Sequence, residues 1–468
     1  MKNKMVLLFM LLLFACDNYK ESQPVEDLFI PEKYDASKIQ GDVQHNWLES
    51  FEDHQLEELV KIALNNNKDL KASYYALRAA ESEAKMSGAL LYPSITLSAT
   101  ESRELFNSVK TSGSESQSNA FFDNFKGRRK NTGVSLNVSW ELDLWGRLRA
   151  ASSAAAEQYY ASRNDFYASR LSLVAQVSKS YYALLASKDQ WAIAVAIVDL
   201  QKNKVDFNKR YYDQGLQPSS NYRIALAELS SLEAEVEQRR RIYVQTQKQL
   251  EILLGHYPVA RGLKGSQFPK LISSIPAGLP STLLARRPDV LAAKNRLLAA
   301  GFKYKESKAN MLPRFSMTAS GGGRSHDFKY ISNPSSRIWN LAGNLTQPLF
   351  ELGRLREQVR LSEKQQQQVL AEYESLVLNA YAEVEIALAA DEFLYKIENK
   401  RSKDMRLVMA IENEGQKKYS EGLQNSNVLI DSKKNTLVKK SLWIRAKRER
   451  LENRIDLHLA LGGGWGDL

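Results

Sequence analysis

The chain has 468 residues, 43 % of them apolar and 25 % charged, the composition of a folded protein rather than a disordered one. Lys and Arg outnumber Asp and Glu by 65 to 54, a formal charge of +11, but acids interleave the bases along helical faces, as in KRERLENR at 447–454. That pattern reads as solvated surface and speaks against a nucleic-acid partner. A single cysteine excludes a disulfide framework and a thiolate metal site.

Residues 1–15, MKNKMVLLFMLLLFA, place Lys2 and Lys4 before an apolar run, the layout of a secretory signal peptide. The run is shorter than the roughly 20 residues a spanning helix needs. Leu13-Phe14-Ala15-Cys16 resembles the bacterial lipobox, in which the cysteine is acylated and begins the mature chain. Cys16 is therefore expected to carry lipid, with 16–46 as the lipidated N-terminal segment. Several acyl chains anchor firmly, at about 0.8 kcal/mol per buried CH₂. Asp17 resembles an inner-membrane retention signal of enteric bacteria.

The remainder is written twice. Gly215-Leu216-Gln217 recurs 207 residues later as Gly422-Leu423-Gln424, Tyr212 recurs as Tyr419, and Gly146-Arg147-Leu148-Arg149 as Gly353-Arg354-Leu355-Arg356. Upstream the offset becomes 220, pairing Asp69 with Asp289 and Pro93 with Pro313. Two structural units are expected, at 47–255 and 281–462. A Gly-, Pro- and Ser-rich linker over 256–280 joins them, and 463–468 form a tail.

Each unit is expected to start with a helix, at about 53–90 and 281–311. Alternating stretches follow: Ile95/Leu97/Ala99, Val134/Leu136/Val138/Trp140/Leu142/Leu144, Phe315/Met317/Ala319 and Trp339/Leu341/Leu345/Leu349. Period two with one apolar face predicts four half-buried strands, of a length that suits tilted membrane strands. The segments 104–131 and 321–337 read as long loops. Four strands cannot close a barrel, and lipid leaves an open edge without partners, so a membrane-spanning sheet requires oligomers. Three copies give twelve strands and room for a pore.

About 65 proline-free residues follow each hairpin. Val177, Leu184, Trp191, Val198, Val205 and Tyr212 recur every seven residues, as do Tyr222, Leu229, Val236, Tyr243 and Leu250 on the returning helix, which predicts a coiled-coil hairpin. In the second unit Asp391 and Glu398 interrupt the register after Val384. Gly215 and Gly422 break the helices at the far tips. Pro218 and Asn425 start the return, and the repeated Gly-Leu-Gln favours a contact role.

The motifs LPSTLLARRPDVLAAKNRL at 279–298, SWELDLWGRLRA at 139–150, QPLFELGRLR at 347–356 and YSEGLQNSNVLID at 419–431 resemble the outer membrane efflux family, the TolC-like lipoprotein channels of tripartite pumps. The resemblance implies an internally duplicated, mixed α and β fold. Long antiparallel helical hairpins form a periplasmic α-barrel, and a homotrimer builds a twelve-stranded transmembrane β-barrel. It implies a passive exit duct in the outer membrane, with a periplasmic adaptor and an inner-membrane transporter of RND type as partners. At the tips it implies a gate role for Tyr419, an uncharged Gln424 where the family often carries a base, and Val428 and Asp431 at positions that can carry acidic rings. Asn221 is the uncharged first-unit counterpart of Val428. No enzyme chemistry, cofactor or metal is expected, since the five histidines share no ligand spacing and Gly321-Gly322-Gly323-Arg324 reads as the end of a loop. The alternative is a lipid-anchored coiled-coil scaffold without a pore.

Overall fold

The computed structural model describes Tyr34, residues 47–106 and 127–260, Phe268, Pro269, Leu271 and residues 280–463. The signal peptide, Cys16 and Asp17 lie outside the described residues. The described elements run α1 (His54–Asn66), α2 (Lys68–Ala89), β1 (Ser94–Phe106), β2 (Gly127–Leu142), α3 (Arg147–Asp213), α4 (Ser219–Leu253), α5 (Pro280–Arg286), α6 (Pro288–Ala309), β3 (Arg314–Ser325), β4 (Arg337–Thr346), α7 (Arg354–Ser420) and α8 (Ser426–Ala460).

α3 and α7 each span 67 residues, a rod of about 100 Å at 1.5 Å per residue. Both ends of α3 and α4 coincide with those of α7 and α8 after the shift of 207. β1 and α2 start where β3 and α6 do after the shift of 220. The duplication is thus written in the architecture.

The expected single helix before each hairpin is two helices. Asn67 adopts ψ 131° and caps α2, its Oδ1 accepting from Leu70 N at 2.9 Å. Arg287 breaks the second copy at ψ 118°, because Pro288 disfavours the α conformation in the residue before it.

The four strands form one antiparallel sheet in the order β1-β2-β3-β4. The strands extend further into both expected loops than the sequence indicated: β1 reaches Phe106, β2 begins at Gly127 and β3 continues to Ser325. The run Gly321–Gly323 is strand, not loop end. A Cβ on Gly322 would stand 2.0 Å from the Val134 carbonyl oxygen, so glycine permits the close approach of β2 and β3. β2 ends at Leu142 and β4 at Thr346, leaving Leu144 and Leu349 outside the strands.

Two apolar clusters grip the helices midway. Leu70, Val177 and Leu250 belong to one, and their shifted counterparts Val290, Val384 and Leu457 to the other. The first also holds Trp47, Phe51, Tyr181 and Tyr182, with His458 stacked on Trp47 at 5.3 Å. The interrupted heptad of α7 has a local cause. Asp391 accepts from the buried Arg454 at 2.8 and 3.1 Å, and Glu398 from the buried Arg450 at 2.7 Å. Here α7 meets α8 through charge, whereas α3 meets α4 through apolar contacts and the stack of Trp191 on Tyr243. No described helix is long and apolar enough to cross a membrane.

Candidate functional site: the exposed sheet and the helical tips

Two features stand at opposite ends of the helical rods. At one end the sheet sorts its faces by register. Ile95, Val138, Ala319 and Leu341 form one row across all four strands, and Leu97, Leu136, Gly321 and Trp339 form the next. Thr96, Asn137, Ser320 and Asn340 form the polar row between them on the other face. No described helix covers the apolar side, and Ile95, Leu97, Leu136, Trp339, Leu341 and Leu345 are exposed. The strands are 10 to 16 residues long, enough for a tilted crossing of hydrocarbon. The order leaves β1 and β4 as open edges.

At the other end each hairpin turns through the same geometry. Gly215 has φ +71°, its N donates to Tyr212 O at 2.9 Å, and Leu216 N donates to Tyr211 O at 2.8 Å. Gly422 has φ +73°, its N donates to Tyr419 O at 3.0 Å, and Leu423 N donates to Lys418 O at 2.8 Å. This is the left-handed helix stop that glycine allows without a Cβ penalty. Pro218 and Asn425 cap the returning helices, and Asn425 Oδ1 accepts from Asn427 N at 2.9 Å. Leu216 and Leu423 stand exposed at the apices.

The remaining candidates part company. Tyr212 stacks on Tyr222 at 6.2 Å and 9°. Tyr419 has Leu429 at the position equivalent to Tyr222 and is exposed. The Gln424 amide lies over Gly415, 3.3 Å from where a Cβ would stand. Asn221 Nδ2 donates to Gln217 Oε1 at 3.5 Å, and Val428 is exposed.

Asp431 accepts from Lys204 Nζ at 2.8 Å, so its charge is balanced across the seam between α3 and α8. The seam continues in both directions. Asn427 Nδ2 donates to Asn208 Oδ1 at 3.5 Å toward the tip. Away from it Glu228 accepts from Lys434 and, at 3.2 Å, from the buried Gln201. Hydrogen bonding from Lys434 holds the Glu228 carboxyl below the usual range. Lys204, Gln201, Glu228 and Lys434 escaped the sequence reading. They sit on three helices up to 233 residues apart, and no local spacing links them. Among the described residues no carboxylate, histidine and cysteine group could hold a metal ion.

The family model described as outer membrane efflux protein matches residues 59–256 and 279–463, once for each copy. The chain belongs to the outer membrane efflux protein family. It is 30 % identical over 428 residues to the outer membrane protein OprJ of Pseudomonas aeruginosa, covering 90 % of this chain and 87 % of OprJ. The open state of the Neisseria gonorrhoeae MtrE outer membrane channel superposes with a TM-score of 0.79 at 25 % identity, covering 93 % of this chain and 96 % of MtrE. The Campylobacter jejuni CmeC outer membrane channel, at 23 % identity, shares the fold with a TM-score of 0.84 over 94 % of each chain. This efflux protein is an outer-membrane channel component, and its exposed sheet and distant tips are the two ends of that channel's subunit.

Proposed function

We propose that three copies of this efflux protein close into a passive exit duct. The observation that carries this is the bare apolar sheet face with two open edges. In hydrocarbon each unpaired backbone group costs several kcal/mol, so β4 must pair with β1 of another copy until the ring closes. With strands 4.8 Å apart and tilted by about 40°, twelve strands give a backbone diameter of about 24 Å and eight only about 16 Å. An eight-stranded barrel is filled by side chains. The polar row of Thr96, Asn137, Ser320 and Asn340 then lines water.

The duct has no catalytic step of its own. Its tips reach away from the sheet and present Leu216 and Leu423, which suit the apolar docking of a periplasmic adaptor linked to an inner-membrane pump. Lipidation of Cys16 fixes the N-terminal segment to the membrane. Lys204–Asp431 ties one hairpin to the next within each copy, so Asp431 serves as a strut of the closed tip, and Tyr419 and Val428 remain open to the lumen or to partners. A scaffold without a pore would leave the apolar rows facing water.

Reconstitution into planar bilayers tests the reading. Stepwise conductance is expected from the purified protein, and a variant with Leu97→Asp and Leu341→Asp should lose it. Protein that integrates without any conductance, even after Lys204→Ala and Asp431→Ala loosen the tip, overturns the duct.

A further inference from the structure

We infer that the two repeat offsets fix, residue by residue, how one copy meets the next. The inference rests on the trimer reading above and deepens it. The offsets already reproduce pairings inside the chain. Ser94 pairs with Ser139, and shifting these by 220 and 207 gives Arg314 and Thr346, which pair. Trp140 Nε1 donates to Leu91 O at 3.1 Å, and the shifted pair repeats it: Gln347 Nε2 donates to Met311 O at 3.0 Å.

The junction between the two copies of the repeat is β2 on β3, with Leu142 opposite Phe315. Its shifted image cannot lie within one chain. It places Leu349 opposite Ile95 of the partner subunit, Leu345 opposite Ala99 of the partner subunit and Asn344 opposite Thr100 of the partner subunit. The image sets apolar against apolar and polar against polar, whereas a slip of one residue would reverse every face. It also gives β4 three more paired residues, 347–349, as β2 has at 140–142. Leu349 is 91 % exposed in the single chain because that strand is missing. Likewise Trp145 Nε1 donates to Pro313 O at 2.7 Å. The image puts Leu352, 88 % exposed, against Pro93 of the partner subunit.

The helices carry the same mapping. Inside the chain Lys204 of α3 meets Asp431 of α8. Shifted, the pair becomes Ile411 of α7 and Ile224 of the partner subunit's α4, which are 59 % and 65 % exposed in the single chain. Lys179 and Gln190, which bond Asp456 and Ser441 across the same inner seam, become Ile386 and Ile397, both exposed, facing Gln249 of the partner subunit and Ala234 of the partner subunit. Both kinds of seam hold apolar contacts, as Ile193 with Ile444 does within a copy, but at the Lys204–Asp431 position the ion pair inside a copy becomes an isoleucine pair between copies.

Disulfide trapping tests the register. Asn344→Cys with Thr100→Cys, oxidised by copper phenanthroline in membranes, should give covalent trimers. Asn344→Cys with Ser98→Cys or Ser102→Cys should give about tenfold less, since diagonal positions lie at or beyond disulfide reach. Stronger trapping by an offset pair overturns the register while leaving the trimer standing. A lysine-reactive cross-linker that yields only monomers overturns the trimer itself. For the helical seam, Ile411→Lys should lower the temperature at which the trimer dissociates in detergent, and adding Ile224→Asp should restore it. A double variant no better than the single one overturns the helical pairing.

Discussion

His458 turns acid into a direct probe of the helical core. Its imidazole is fully buried, is stacked on Trp47 at 5.3 Å and stands beside the guanidinium of Arg454. Burial, reinforced by Arg454, lowers its pKa to about 3 from 6.5. The folded protein therefore keeps the ring neutral at a pH where the unfolded chain protonates it. Stability is complete above pH 6.5 and falls as pH drops toward 3, because the unfolded state binds the extra proton. At pH 5 the loss is about 2 kcal/mol, from a pKa gap of about 1.5 at 1.36 kcal/mol per unit. His458→Phe keeps an aromatic ring against Trp47 and removes the titration. Unfolding free energies from urea titrations followed by circular dichroism at pH 7.5 and pH 5 should differ less in the variant by that amount. Equal acid sensitivity in wild type and variant would refute the assignment.

Arg454→Ala should cost about 3–5 kcal/mol because it strands Asp391 in a half-buried site, while Arg454→Met with Asp391→Leu should be near neutral; denaturant unfolding distinguishes them. Gly322→Val should abolish assembly of the detergent-resistant oligomer on gels, since its Cβ would overlap the Val134 carbonyl. Gly422→Ala meets open space but must hold φ +73°, so a loss of about 1–2 kcal/mol in unfolding free energy is expected, with the oligomer retained. Asp431→Ala removes an exposed ion pair and should cost less than about 1 kcal/mol in stability, with single-channel recordings reporting more frequent openings.

The sequence showed those parts of the fold that repeat or alternate. Leu97, Leu136 and Trp339 announced the lipid face through period two, and Gly215 and Gly422 marked both tips through their shared surroundings. It concealed what depends on contact between distant helices. Asp391 and Glu398 looked like breaks in a heptad until Arg454 and Arg450 were seen facing them. Asp431 reads as a lone surface acid until α8 lies against Lys204. Gly321–Gly323 read as loop because glycine weakens strand patterning, although here it allows two backbones to touch.

Closure of the sheet by identical copies is best examined by native mass spectrometry of the efflux protein released from lipid nanodiscs. A mass of three chains, with acyl groups on Cys16, is expected. A single chain or a pair persisting in lipid, with β1 and β4 unpaired, would contradict the barrel.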